Sequence, residues 1–128
     1  DKHKGICLGF DVPDALVKEV TYVKSRLRCP SIFDEIFMSK LLFTKFSHWA
    51  YEDEYRVYTT LEDSINGIYY SSFSETLKLN QVIVGSEANI TKSEITSALG
   101  SLSEKVTYFK ARSAFKSFDI VKNRNDIL

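Results

Sequence analysis

The sequence predicts an α+β fold: a single domain over residues 1–128 with a mixed or largely antiparallel sheet of about five to seven strands packed with two main helices. Three observations carry this prediction. Two segments open with a hydroxyl residue followed by an acid three positions on, Ser31-Ile32-Phe33-Asp34 and Thr91-Lys92-Ser93-Glu94, the pattern of a helix capping box. Strand-like runs surround both without regular β-α alternation, in the order β-β-α-β-β-β-α-β-β, which favours α+β over a doubly wound sheet. Finally, 128 residues with 44% hydrophobic and 13% aromatic content supply one core. A chain of this size buries roughly two-thirds of its unfolded surface.

Gly5 to Phe10 is a short apolar run in which Ile6, Leu8 and Phe10 share one face if extended. Asp11-Val12-Pro13-Asp14 is a turn signal. Val17 to Val23, rich in β-branched residues, favours a strand able to pair with the first. Arg26 to Pro30 is a polar connection closed by proline. From Ser31 the apolar residues Phe33, Ile36, Phe37 and Leu41 follow at helical spacing, so a core helix is expected to run to about Thr44 and lie on the sheet.

Glu54 to Thr60 reads as a strand, with Tyr55, Val57 and Thr59 on one face and Glu54, Arg56 and Tyr58 on the other. Leu61 to Gly67 is a loop containing the turn dipeptide Asn66-Gly67. Ile68 to Phe73 reads as a strand. In Leu77 to Val84 the continuous run Val82-Ile83-Val84 suits a strand covered on both faces, and Gly85 ends it. Thr91 opens a second helix with Ile95, Ala98, Leu99 and Leu102 on one face. Val106 to Ala111 and Phe118 to Val121 are closing strands, followed by a polar tail.

Charge and composition narrow the function classes. Seventeen basic and seventeen acidic residues cancel, so net charge gives no attraction to nucleic acid or to an anionic membrane surface. No apolar stretch approaches the ~20 residues of a membrane helix, and no signal-peptide pattern is present. A cytoplasmic location is the expectation, with Cys7 and Cys29 reduced and Cys7 acting as a small hydrophobe inside its strand. His3 and His48 have no partner at metal-ligand spacing, so no metal site is expected. His48, beside Trp49, reads as a structural hydrogen-bonder. Ser71, Ser72 and Ser74 lack a nucleophile elbow, Gly5-Ile6-Cys7-Leu8-Gly9 lacks the lysine and spacing of a phosphate loop, and Asn89-Ile90-Thr91 reads as a helix entry.

The segment Trp49-Ala50-Tyr51-Glu52-Asp53-Glu54-Tyr55-Arg56 is the candidate site. If it is extended, Glu52 and Glu54 lie on one side roughly 7 Å apart, a spacing at which paired carboxylates split their pKa values and act as acid and base. Arg56 continues that side and suits either a salt bridge or a ligand carboxylate or phosphate. Trp49, Tyr51 and Tyr58 offer flat walls for a ring. The competing reading makes Glu52, Glu54 and Arg56 an ion-pair group at a strand start and Trp49 an anchor, and this structural reading is favoured.

Two fragments resemble a known bacterial group. His3-Lys4-Gly5-Ile6-Cys7-Leu8-Gly9-Phe10 resembles the first strand of domain-of-unknown-function family 2971. Lys45 with Trp49-Ala50-Tyr51-Glu52-Asp53-Glu54-Tyr55-Arg56 resembles that family's Trp-to-Arg segment, and Val82-Ile83-Val84-Gly85 is similar to its following hydrophobic-Gly strand. The resemblance implies a segment preceding Asp1 and genes in mobile-element or phage-defence settings, but no chemistry. More distantly, Glu52-x-Glu54 leading into a strand is similar to the catalytic loop of ADP-ribosyltransferases. That likeness implies a catalytic Glu54, an acceptor-directing Glu52 and NAD as cofactor; in those enzymes the residues that grip NAD lie on N-terminal strands, which are expected to belong to the segment preceding Asp1. The sequence therefore predicts a binding or interaction module with an unknown protein partner or a second copy of itself, needing no cofactor. The alternative is a nucleotide-using transferase.

Overall fold

The computed structural model describes residues 2–62, 64–125 and 128. In chain order the strands are β1 (Ile6–Asp11), β2 (Val17–Glu19), β3 (Thr21–Val23), β4 (Thr44–Phe46) and β5 (Tyr55–Val57), then β6 (Ser64–Ile65), β7 (Ile68–Tyr69), β8 (Lys78–Val84), β9 (Thr107–Ser113) and β10 (Ile120–Lys122). The α-helices are α1 (Glu35–Leu42) and α2 (Lys92–Leu99), and 3-10 turns span Asp14–Leu16, Ser47–Glu52 and Gly100–Leu102. This is the expected α+β class. The chain forms two compact units: a sheet unit, Asp1–Asp11 with Ser72–Leu128, and a clamp unit, Val12–Ser71.

The sheet unit is built on β8. Its order is β1-β8-β9-β10, with β1 antiparallel to β8, β8 parallel to β9 and β9 antiparallel to β10, so the sheet is mixed. It has four strands rather than five to seven, because the remaining strands form separate two-stranded ladders. The parallel step requires a crossover, which α2 supplies. Register explains which residues of β8 are buried. Gly9 pairs with Gln81, but Phe10 pairs with Leu79, so β8 carries one extra residue there. A bulge of this kind reverses side-chain parity and returns Leu79 to the face of Val82 and Val84. These three form the core with Ala88, Ile95 and Val106, and Val84 is 0% exposed.

α2 starts as its sequence predicts. The Glu94 amide donates to the Thr91 hydroxyl at 3.3 Å, and the Thr91 amide donates to the Glu94 carboxylate at 2.8 Å. The Thr91 amide, and then the Thr91 hydroxyl donating at 2.8 Å, hold the Glu94 carboxyl below its ordinary range. Ile95 enters the core with Leu99 and Leu102 packed against it, whereas Ala98, expected on that face, is exposed. β1 is an edge strand whose Ile6 and Leu8 remain about half exposed. Phe10 stacks at 5.8 Å on Phe73. Cys7 and Cys29 are free and exposed, so Cys7 does not act as a core residue.

The clamp unit departs further from expectation. The run 17–23 is two strands, and neither pairs with β1. β2 pairs antiparallel with β5, and β3 pairs parallel with β4. The break falls at Val20, which is 2% exposed and whose amide donates to the Glu54 carbonyl at 2.9 Å. The strand expected to reach Thr60 stops at Val57 because β2 offers partners only over Val17–Glu19. The strand expected over 68–73 shrinks to Ile68–Tyr69. It forms a hairpin with β6 across Asn66 (φ 53) and Gly67 (φ 76), the double left-handed geometry of a type I′ turn.

α1 begins four residues after Ser31. Asp34, not Ser31, is the cap, its carboxylate accepting from the Phe37 amide at 2.7 Å. α1 crosses between β3 and β4, a ladder too narrow to cover it. None of its residues is buried and Ile36 is 80% exposed, so it is not the core helix expected. Phe33 and Phe37 instead pack edge to face at 5.4 Å. No helix among the described residues is long and apolar enough to cross a membrane.

Candidate functional site

The segment 49–56 is not extended throughout. Ser47–Glu52 is a 3-10 turn, and Asp53 reverses the chain in the left-handed region at φ 46, ψ 53. The strand rise therefore does not set the spacing of Glu52 and Glu54. They meet instead through Lys45, which projects from β4. Lys45 Nζ donates to Glu52 Oε2 and, at 3.0 Å, to Glu54 Oε2. From β5, Arg56 forks onto the same carboxylate, with Nε 2.6 Å from Glu54 Oε1 and Nη2 3.1 Å from Glu54 Oε2. The third guanidinium nitrogen, Nη1, donates to the Leu42 carbonyl at the C-terminal end of α1. A helix leaves its last carbonyls unpaired and electronegative, so a guanidinium there is doubly favoured. The Glu54 amide donates to the Tyr22 hydroxyl of β3 at 3.0 Å.

Four charged side chains thus tie together β4, β5, the 3-10 turn and the end of α1, and the Tyr22 hydroxyl adds β3 through the Glu54 amide. Each of the four is about one-third exposed or less. The Arg56 fork, and then Lys45, hold the Glu54 carboxyl at about 2, well below its ordinary value. Glu52, then Glu54, raise Lys45, and Glu54 raises Arg56. A lowered carboxyl favours the folded state while it is ionised. Unfolded, Glu54 takes its proton near 4.5; folded, at about 2. Between these values the unfolded chain binds more protons, so the contribution is full above about 4.5 and is lost as pH falls toward about 2. Acid titration of the folded chain is expected to lose stability across that window, and Glu54→Gln to flatten the loss.

The aromatic residues divide. Trp49 lies under Lys45, with Nζ 5.4 Å from its ring, and Tyr51 is 6.0 Å from Trp49. His48 stacks on Phe46 at 4.4 Å. Tyr58 is not part of this cluster; it lines a separate hollow of about 620 Å³ with Leu16, Met38 and Phe43. Among the described residues no three His, Cys, Asp or Glu side chains gather as a metal site.

Lys45 also lines a groove, which Glu52 and Glu54 do not. This groove of about 770 Å³ opens within the β3-α1-β4 crossover. Phe37 and Leu41 of α1, with Phe33 just ahead of its cap, form one wall, and Val23, Leu27 and Phe46 form others. Lys24, Arg26 and Lys45 bring three cations to it, and no acid lines it. Sequence reasoning took Arg26 to Pro30 as a connection and missed the groove. The available signal was the alternation Lys24-Ser25-Arg26-Leu27-Arg28 ahead of an aromatic helix face. Lys45 was visible only through the family resemblance. Comparison with family models, curated proteins and solved structures finds no match for this chain.

Proposed function

We propose that the chain is a binding module whose crossover groove takes a small anion with a flat, apolar body, and that Trp49–Arg56 is the clamp that fixes one wall of that groove. The observation that supports this reading most is the lining: an aromatic and aliphatic interior with Lys24 and Arg26 and no acid, the third cation, Lys45, being paired to Glu52 and Glu54. Pockets that combine apolar walls with a few placed polar groups are the usual form of a small-molecule site. Arg26 suits a carboxylate or phosphate through its planar fork, and Phe33 and Phe37 offer ring faces. Lys45 couples the two parts, since it both lines the groove and bridges Glu52 to Glu54.

The transferase alternative asks Glu54 to stabilise a positive ribose with Glu52 beside it and NAD bound. Here both Glu54 oxygens are already taken by cations, and that pairing favours the binding reading. A thermal-shift series with nucleotides and aromatic carboxylates tests it. At least one anionic aromatic compound is expected to raise the midpoint by several degrees at about a hundredfold excess over Kd. Arg26→Glu is expected to abolish the rise, while Glu54→Gln lowers the baseline and keeps it. A rise that survives Arg26→Glu and disappears in Glu54→Gln would overturn the assignment in favour of the transferase, and no rise across the series would remove the groove as a site.

A further inference from the structure

The sheet unit carries a second surface that owes nothing to the groove. β9 and β10 form a hairpin closed by the Ser113–Ile120 pair and by the Ala114 amide donating to the Asp119 carbonyl at 2.9 Å. Its tip, Phe115-Lys116-Ser117-Phe118, holds two phenylalanines in water: Phe115 is 90% exposed and Phe118 wholly so. Neither contributes to a core, so the fold does not explain them. Residues 107–125 contain five cations against one acid, Asp119. Lys110 is occupied by the Ala88 carbonyl at 3.1 Å. The other four, Arg112, Lys116, Lys122 and Arg124, line a hollow of about 430 Å³ with Phe115 and Val121, and Arg112 Nη1 donates to the Ser113 carbonyl at 3.0 Å. The Arg112 guanidinium lies 4.5 Å from the Phe115 ring centre, which holds that ring in place.

We infer that this hairpin binds single-stranded nucleic acid, its cations taking the phosphates and Phe115 and Phe118 taking the bases. A concave basic surface with flat rings beside it matches the two repeating chemistries of a single strand, a phosphate and an unstacked base. A duplex hides its base faces, leaving the two rings nothing to stack on. Exposed aromatics flanked by cations also suit an anionic lipid surface. Two features favour the strand: the cations line a hollow rather than a flat face, and Asp119 follows Phe118 directly, where insertion into lipid would bring a carboxylate toward anionic headgroups. The chain's zero net charge, which argues against nucleic acid over the whole molecule, conceals this local excess.

The test is fluorescence anisotropy of the full chain with a labelled oligothymidylate of about 12 nucleotides, run beside a duplex of equal length and phosphatidylserine vesicles. Saturable binding to the single strand is expected, tighter than to the duplex and uncompeted by vesicles. If three phosphates are engaged, affinity should fall about 20-fold between about 50 and about 200 mM salt. Phe118→Ala is expected to weaken binding about 10-fold. The double variant Lys116→Glu, Arg124→Glu should lower the salt slope by about 1.4. All three positions are exposed, and unchanged unfolding midpoints would show that the fold is intact. Affinity unchanged in Phe118→Ala, salt-independent binding, or capture by vesicles without oligonucleotide binding would overturn the inference, the last in favour of a lipid surface.

Discussion

Gly85→Ala is expected to destabilise the chain by about 3 kcal/mol or more, beyond the usual cost of overpacking. A Cβ at this position would sit 2.2 Å from the His3 carbonyl oxygen, 2.8 Å from the His3 carbonyl carbon and 2.9 Å from the Gly5 oxygen. All three are backbone atoms, so no rotamer change relieves the clash. The same contact region holds the Gly85 amide on the Gly5 carbonyl at 2.9 Å and the Glu87 amide on the His3 carbonyl at 3.0 Å. Pushing the chain ends apart would cost those bonds and the last pairs of β1 with β8. Gly9→Ala is the control. Its Cβ would meet one tight neighbour, Gln81 Cβ at 3.0 Å, with the next atoms at 3.7 Å, so a smaller loss is expected. Urea unfolding of the two variants checks the contrast; equal midpoints would contradict it.

Ile95→Ala is expected to cost about 3 kcal/mol, because Ile95 is 6% exposed and packs in the core with Val82 and Val84. Ile36→Ala, the same substitution on α1, is expected to stay within about 0.5 kcal/mol, because Ile36 is 80% exposed. The change adds no helix-breaking term at either site, since alanine is the best helix former. Paired denaturation curves measure the difference, and comparable losses at the two sites would mean that α1 is covered.

That contrast shows where the sequence was informative. α2 and β8 were legible because their signals are local: a capping box with matching periodicity at Thr91–Glu94, and an apolar run ended by Gly85. α1 carries equally good periodicity in Phe33, Ile36, Phe37 and Leu41, but periodicity states which residues share a face and not what covers them. The run 17–23 reads as one strand because β-branched residues favour extension. Its division at Val20 depends on β4 and β5, which lie far along the chain and leave no mark within the run.

The candidate site was half legible for the same reason. Glu54 directly precedes β5 and Arg56 lies on it two positions on, and parity placed them together. Glu52 reaches the cluster through a 3-10 turn, a left-handed Asp53 and a lysine on another strand, none of which parity describes. The basic hairpin was hidden by averaging. Thirty-four charges sum to zero, and only the pairing of β9 with β10 brings Arg112, Lys116 and Arg124 around one hollow.

The central claim is that Glu54 is a paired member of a clamp rather than a carboxylate poised for catalysis. The most direct measurement is a carboxyl-carbon NMR titration of Glu54 in the folded chain. The account predicts a midpoint at about 2, which Arg56→Ala raises toward the ordinary value. A midpoint at or above 4.5, unmoved by Arg56→Ala, would show that the fork and the lysine do not hold this carboxylate and would contradict the account.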